Sequence, residues 1–171
     1  MSVTDRNYAI VGGTTGLGLS AAKALVSAGA NVGICGRSEC SLDAALADLG
    51  DSAIGLAGDA TAPETGEALV ESVVARFGQL HGLYHVAGGS GRSTGDGPLH
   101  ELTDEGLDFT LDLNLKSLIF SNRAAVRQFL KQDSSGAILN MGSVLGFSPE
   151  PNFFASHAYA ATKAAIIGFT K

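Results

Sequence analysis

The sequence predicts an α/β fold, a doubly wound parallel sheet with helices on both faces. Short apolar runs alternate with helix-period segments from Tyr8 to the end of the chain. Strictly alternating strand and helix build βαβ units, whose crossovers place helices on both sides of a parallel sheet. A glycine turn joins the first strand to the first helix, where such sheets bind ligands. The 171 residues, 45% of them apolar, supply a core for one domain spanning 1–171. No internal repeat, low-complexity tract or boundary suggests a second.

Tyr8-Ala9-Ile10-Val11 is the first buried-strand run, and it stops at Gly12. Gly16 to Ala28 is helical, with Leu19, Ala22, Leu25 and Val26 along one face and Gly29 as its stop. Asn31 to Cys35 is the second strand, Ser41 to Leu49 a short helix closed by Gly50, and Ser52 to Ala57 the third strand. Pro63 opens the next helix, at a first turn that tolerates proline, and Gly78 follows its end at Phe77. The fourth strand spans Leu80 to Ala87 and runs into Gly88-Gly89. Ser90 to Pro98 is a loop, too rich in glycine for regular structure. Thr103 caps one long helix that runs to about Lys131. After a turn at Ser134-Ser135-Gly136, Ala137 to Met141 is the fifth strand, and a last helix starts at about His157.

Charged residues are 16% of the chain and the net charge is −6. An acidic chain with no basic run is a poor match for DNA, RNA or anionic lipid. Cys35 and Cys40 are too few for a disulfide framework, which fits a reducing, cytoplasmic setting. Met1 to Tyr8 is charged and lacks a signal-peptide core. No run reaches the ~18 apolar residues of a membrane span. A soluble cytoplasmic protein is expected, with no nucleic-acid, membrane or metal partner.

The glycine turn reads Gly12-Gly13-Thr14-Thr15-Gly16-Leu17-Gly18, with the spacing Gly12-x3-Gly16-x-Gly18. Between a strand and a helix, such a turn brings backbone N–H groups and a helix N-terminus against a pyrophosphate. A tight turn without a ligand is the alternative; the strand-to-helix setting favours the ligand. The second strand ends Cys35-Gly36-Arg37-Ser38, with Gly36 where NAD enzymes usually carry an acid for the ribose 2′-hydroxyl. Arg37 can pair with a 2′-phosphate, so NADP is expected. Glu39 can bind a ribose instead, which leaves NAD open.

Near the start of the last helix stands Tyr159-Ala160-Ala161-Thr162-Lys163. Residues four apart share a helix face, so Tyr159 and Lys163 point into one space. A phenol titrates near about 10 and is a poor acid/base at neutral pH. A neighbouring ammonium stabilises the phenolate and lets the pair exchange a proton with a carbonyl or alcohol oxygen. Ser143 follows the fifth strand, at the sheet edge where ligands bind. Asn114 is a polar residue among Leu111, Leu113 and Leu115 of the long helix.

These motifs occur in the order seen in short-chain dehydrogenases/reductases: Gly12-x3-Gly16-x-Gly18, Asp59, Ala87-Gly88, Asn114, Ser143 and Tyr159-x3-Lys163. The chain resembles that family over its whole length. The resemblance implies a Rossmann fold and an oxidoreductase that moves a hydride between NADP(H) or NAD(H) and a small-molecule carbonyl/alcohol pair. It implies that Tyr159 is the acid/base, that Lys163 tunes it and holds the nicotinamide ribose, and that Ser143 bonds the substrate oxygen. Asn114 would anchor a water that relays protons through Lys163. Cofactor contacts are implied for Gly12, Thr14, Thr15, Gly16, Leu17, Gly18, Arg37, Asp59, Ala60, Ala87 and Gly88, as well as Asn114, Tyr159 and Lys163.

The chain departs from the family in three places. His85-Val86-Ala87-Gly88 stands where Asn-Asn-Ala-Gly is usual, and His85 is expected to be structural. The stretch from Ser143 to Tyr159 is long; Pro149 and Pro151 suggest a rigid loop, and Phe147, Phe153 and Phe154 either line a substrate pocket or pack on the protein. Family members also continue past Tyr-x3-Lys through two further strands, a cofactor loop and a substrate cover. The fold is therefore expected to lack its last strands, with the fifth strand an open edge. A nucleotide-binding module without turnover is the alternative for such a chain. A homodimer or homotetramer is also expected: Leu113, Ile119, Phe120 and Ala124 lie off the stripe of Leu111, Leu115 and Leu118, more apolar surface than one stripe buries.

Overall fold

The computed structural model describes residues 2–148 and 150–171. Five parallel strands form its sheet: β1 (Asn7–Val11), β2 (Asn31–Gly36), β3 (Ala53–Ala57), β4 (Gly82–His85) and β5 (Ala137–Asn140). Their order is β3-β2-β1-β4-β5. The helices are α1 (Gly16–Ser27), α2 (Glu39–Leu49), α3 (Pro63–Phe77), α4 (Asp104–Leu111), α5 (Ser117–Lys131) and α6 (His157–Thr170). A π-helical turn, Asp112–Lys116, joins α4 to α5.

Period-2 alternation along β1 feeds both layers of the core. Ile10 packs with Val32, Ile34, Ala22 and Leu42 on the face covered by α1 and α2. Ala9 and Val11 face the other way, onto Leu69, Val73, Ala125 and Phe129 of α3 and α5. Burying each Ile, Leu or Phe stabilises the fold by about 1.5–3 kcal/mol. Parallel pairing aligns Val11 with both Cys35 and His85, so β1, β2 and β4 end together at one edge.

Several boundaries differ from the sequence reading. Helix α2 starts at Glu39, two residues before Ser41, because the Ser38 hydroxyl accepts from Ser41 N at 3.2 Å and caps it. Strand β4 is shorter than Leu80–Ala87. Its start is taken by Gln132, whose side chain bonds Leu80 N at 3.2 Å and Leu80 O at 2.6 Å. Its end is lost because Val86 N and Ala87 N both turn to Val11 O, at 3.0 and 2.9 Å. The helix expected as one piece is divided by the π turn, although Thr103 caps it as predicted, accepting from Gly106 N at 3.0 Å.

Ala124 is buried in this chain's own core, so it contributes nothing to an outer apolar face. Val126 and Leu130 of α5 are exposed instead. Among the described residues β5 pairs only with β4, and its Leu139 is 61% exposed. Pro149 lies outside the described residues. No helix among those described is long and apolar enough to cross a membrane.

Candidate active site

Past the end of β1, Gly12 N and Gly13 N both bond to Cys35 O at 3.0 Å, which ties the glycine turn to β2. Gly12 has φ +89°, and a Cβ there would lie 2.7 Å from Ala87 N. A Cβ at Gly18 would lie 2.0 Å from Gly12 O, so only glycine lets α1 start this close to the strand. Thr15, the residue before α1, makes no side-chain cap, and the first turn of the helix carries no acid. The leading N–H groups therefore lack a side-chain acceptor and present positive potential to the cleft beside them.

That cleft has a volume of about 360 Å³. Gly12, Thr14, Thr15, Gly16, Leu17 and Gly18 form one wall; Arg37, Asp59, Ala60, Ala87 and Gly88 line the cleft as well, with Leu113 among the remaining residues. All the cofactor contacts nominated from sequence outside the catalytic set thus meet in one place. Glycine-lined backbone, an uncapped helix start and an exposed arginine make this cradle fit a dinucleotide. Thr61 N and Thr61 Oγ1 donate to Asp59 Oδ1 at 2.9 and 2.8 Å. The Thr61 N–H is the main cause that holds the Asp59 carboxyl below its ordinary range, with the Arg37 guanidinium adding to it.

A second cleft, about 440 Å³, is lined by Ser90, Arg92, Ser143, Val144, Leu145, Phe154, Ser156 and Tyr159. Phe154 belongs to this cleft. Phe147 and Phe153 are 72% and 71% exposed and do not. Ser143 Oγ accepts from Leu145 N at 3.2 Å, which leaves its hydrogen free to donate. Lys163, one turn after Tyr159, is only 3% exposed. Its ammonium lies 5.5 Å from the centre of the Tyr159 ring and donates to Met141 O at 2.9 Å. Burial lowers the Lys163 ammonium below the ordinary lysine range.

Asn114 is fully buried in the π turn. Its amide donates to Gly89 O at 2.9 Å and Thr110 O at 3.0 Å, and its oxygen accepts from Gly89 N at 3.0 Å. It thereby pins the loop after β4. A Cβ at Gly88 would lie 2.8 Å from Asn114 Oδ1 and 3.5 Å from Lys163 Nζ, so the glycine-turn cleft abuts the catalytic candidates at this residue.

His85 is fully buried between β4 and α5. The Ser117 hydroxyl lies 3.3 Å from His85 Nε2 and donates to Leu113 O at 2.6 Å. The Ser121 hydroxyl lies 2.8 Å from His85 Nδ1 and donates to Leu118 O at 3.0 Å. Burial, and then the Lys163 ammonium, push His85 down to about 4. A neutral imidazole with both nitrogens engaged inside the protein is structural, as expected. Sequence reasoning passed over Asp96, which is fully buried and bonds to the backbone of Tyr159. Its partner lies across 63 residues, and only an acid in a glycine-rich loop hinted at it.

The profile of the short chain dehydrogenase family matches residues 6–171. Oxidoreductase asL5 of Sarocladium schorii is 35% identical over 164 residues, covering 96% of this chain and 63% of its own length. The structure of a short-chain type dehydrogenase/reductase from Mycobacterium ulcerans superposes with a TM-score of 0.89 at 30% identity, over 99% of this chain and 61% of that one. NAD+-bound xylitol dehydrogenase superposes with a TM-score of 0.87 at 25% identity, over 99% and 64%. The chain spans about three fifths of the length of the curated relatives it matches. On its profile and its fold, this chain belongs to the short-chain dehydrogenase family.

Proposed function

We propose that residues 1–171 form one unit that binds a nicotinamide dinucleotide and serves reversible reduction of a small-molecule carbonyl to an alcohol. The carrying observation is that Ser143 and Tyr159 line one cleft, with Lys163 buried behind the tyrosine and Gly88 linking them to the glycine-turn cleft. When bound, the nicotinamide gives or takes the hydride. The Ser143 hydroxyl donates to the substrate oxygen. The Tyr159 phenol gives that oxygen its proton in reduction and recovers it in oxidation. Lys163 stabilises the phenolate. Because burial makes its ammonium release a proton more readily than an exposed lysine, it also suits a relay from solvent. The Asn114 amide is taken up by Gly89 and Thr110, so a relay water at this residue is held by its main chain.

Val144, Leu145 and Phe154 favour a substrate with an apolar body. The NAD+ in the xylitol dehydrogenase structure supports the cofactor class, and Arg37 favours NADP within it. Free thiols at Cys35 and Cys40 support a reducing, cytoplasmic setting. Exposed Val126 and Leu130 on α5 support a homodimer or homotetramer, which light scattering tests.

The experiment is turnover of a panel of aldehydes and ketones, with NADPH binding followed on the same sample. In the whole protein, Tyr159→Phe should cut turnover by about 10²–10⁴-fold and spare NADPH binding. Lys163→Ala should damage both. Near-normal turnover in Tyr159→Phe would assign the acid to another residue. NADPH binding with no turnover of any carbonyl would leave a nucleotide-binding module.

A further inference from the structure

Asp96 lies in the loop between β4 and α4, fully buried, outside both clefts. Its Oδ1 accepts from Ala158 N at 3.0 Å and its Oδ2 from Tyr159 N at 2.9 Å. These are the second and third residues of α6, two of the donors that every helix start leaves without an internal partner. Ser156, the residue that would cap α6 locally, makes no side-chain cap. Its hydroxyl sits 3.4 Å from Ser90 Oγ instead. The helix that carries Tyr159 and Lys163 is therefore capped from a distant loop, and one bond of that cap lands on the backbone of Tyr159.

We propose that Asp96 is a positioning residue for the Tyr159 chemistry, a reading that rests on the function proposed above. A serine cap accepts from one N–H, whereas a carboxylate accepts from two and strengthens both bonds with its charge. The two bonds fix where α6 begins, and so where the Tyr159 ring enters the substrate cleft beside Ser143.

The loop is firm enough to do this. Asp96 N and Thr94 N both donate to Gly91 O, at 3.0 and 2.9 Å, and Thr103 N donates to Gly95 O at 3.2 Å. Gly106 of α4 presses on it so closely that a Cβ there would lie 2.7 Å from Asp96 N. His157 Nδ1 adds a contact to Gly97 O at 3.2 Å. Because α4 runs straight into the π turn, one assembly anchors both the Asn114 side chain and the start of α6.

The test compares Asp96→Ala, Asp96→Asn and Tyr159→Phe in the whole protein, reading kcat, KM and NADPH affinity with the best carbonyl of the panel. A misplaced reacting group costs up to about 10²-fold in rate. Asp96→Ala should lower kcat by about tenfold or more with KM and NADPH affinity unchanged. Asp96→Asn keeps one acceptor and should fall between it and the wild type. Amide exchange at Ala158 and Tyr159 should speed up in step with the loss of kcat. A lowered melting temperature with wild-type kcat in both Asp96 variants would make Asp96 a structural cap and overturn the proposal. If Asp96→Ala does not fold, Asp96→Asn decides by the same criterion. Full turnover in Tyr159→Phe brings down the acid/base reading itself, whereas its loss beside normal Asp96 variants overturns only this inference.

Discussion

Gly36 packs against Thr14: a methyl group in place of its α-hydrogen would lie 2.2 Å from the Thr14 hydroxyl oxygen. A side chain at residue 36, acidic or otherwise, therefore cannot coexist with Thr14 as placed. The end of β2 lines the cleft with Cys35, Gly36 and Arg37, and the charge it brings there is that of Arg37, beside Asp59 and Ala60. An acid at this point would first have to displace the Thr14 side chain of the glycine turn.

Arg37→Ala should weaken NADPH binding and leave NADH nearly unchanged. A hydrogen bond to a charged group contributes about 1.5–3 kcal/mol, which corresponds to roughly 10–100-fold in affinity. Fluorescence titration of both cofactors on both proteins measures it. Equal loss for the two cofactors would show that Arg37 does not read the 2′ position.

Gly18→Ala should destabilise the protein by about 1–3 kcal/mol and abolish dinucleotide binding, because the new methyl would lie 2.0 Å from Gly12 O. That neighbour is backbone and cannot swing aside. Chemical denaturation and NADPH titration check the two effects. A variant that keeps both would mean that the turn can widen, against the packing described.

The buried His85 predicts an acid-side loss of stability. Unfolded, its imidazole takes a proton near about 6.5; folded, it does so only at about 4, because burial disfavours the charged form. Between those values the unfolded chain binds more protons, so stability falls as pH drops from about 6.5 to about 4, by about 3 kcal/mol from this group. Thermal melts of the wild type and His85→Gln across that window measure the difference. The variant should lose less stability on acidification, whatever its stability at neutral pH. Identical slopes would place the loss in other groups.

Much of this was legible in the sequence. The βαβ order, the glycine turn and the Tyr159/Lys163 pair depend on residues close together in the chain, where helix and strand periods act. Ser143 was legible for a related reason: it follows a strand, and parallel strands end at one edge. What stayed hidden depends on partners far away in sequence. Asn114 reads as one polar residue in an apolar helix until Gly89, 25 residues earlier, claims its amide and the π turn opens. The beginning of β4 was misjudged because Gln132 reaches back 52 residues to Leu80. Asp96 was missed for the same reason, since no local pattern marks a carboxylate that caps a helix 62 residues on.

The wide turn at Asp112–Lys116 puts one more residue into a coil than the flanking helices use. Each residue of an α-helix advances the outward direction by about 100°. Deleting one residue there would thus swing α5 by about that angle against α4. Either Asn114 would leave Gly89, or Ser117 and Ser121 would leave His85. Residues 104–131 are keyed by their count as well as by their kinds. A scan of single substitutions would not reveal this. A scan of single-codon deletions would find the segment intolerant from Leu111 to Ser117, while the exposed stretch at Glu150–Asn152 should still fold after a change of length.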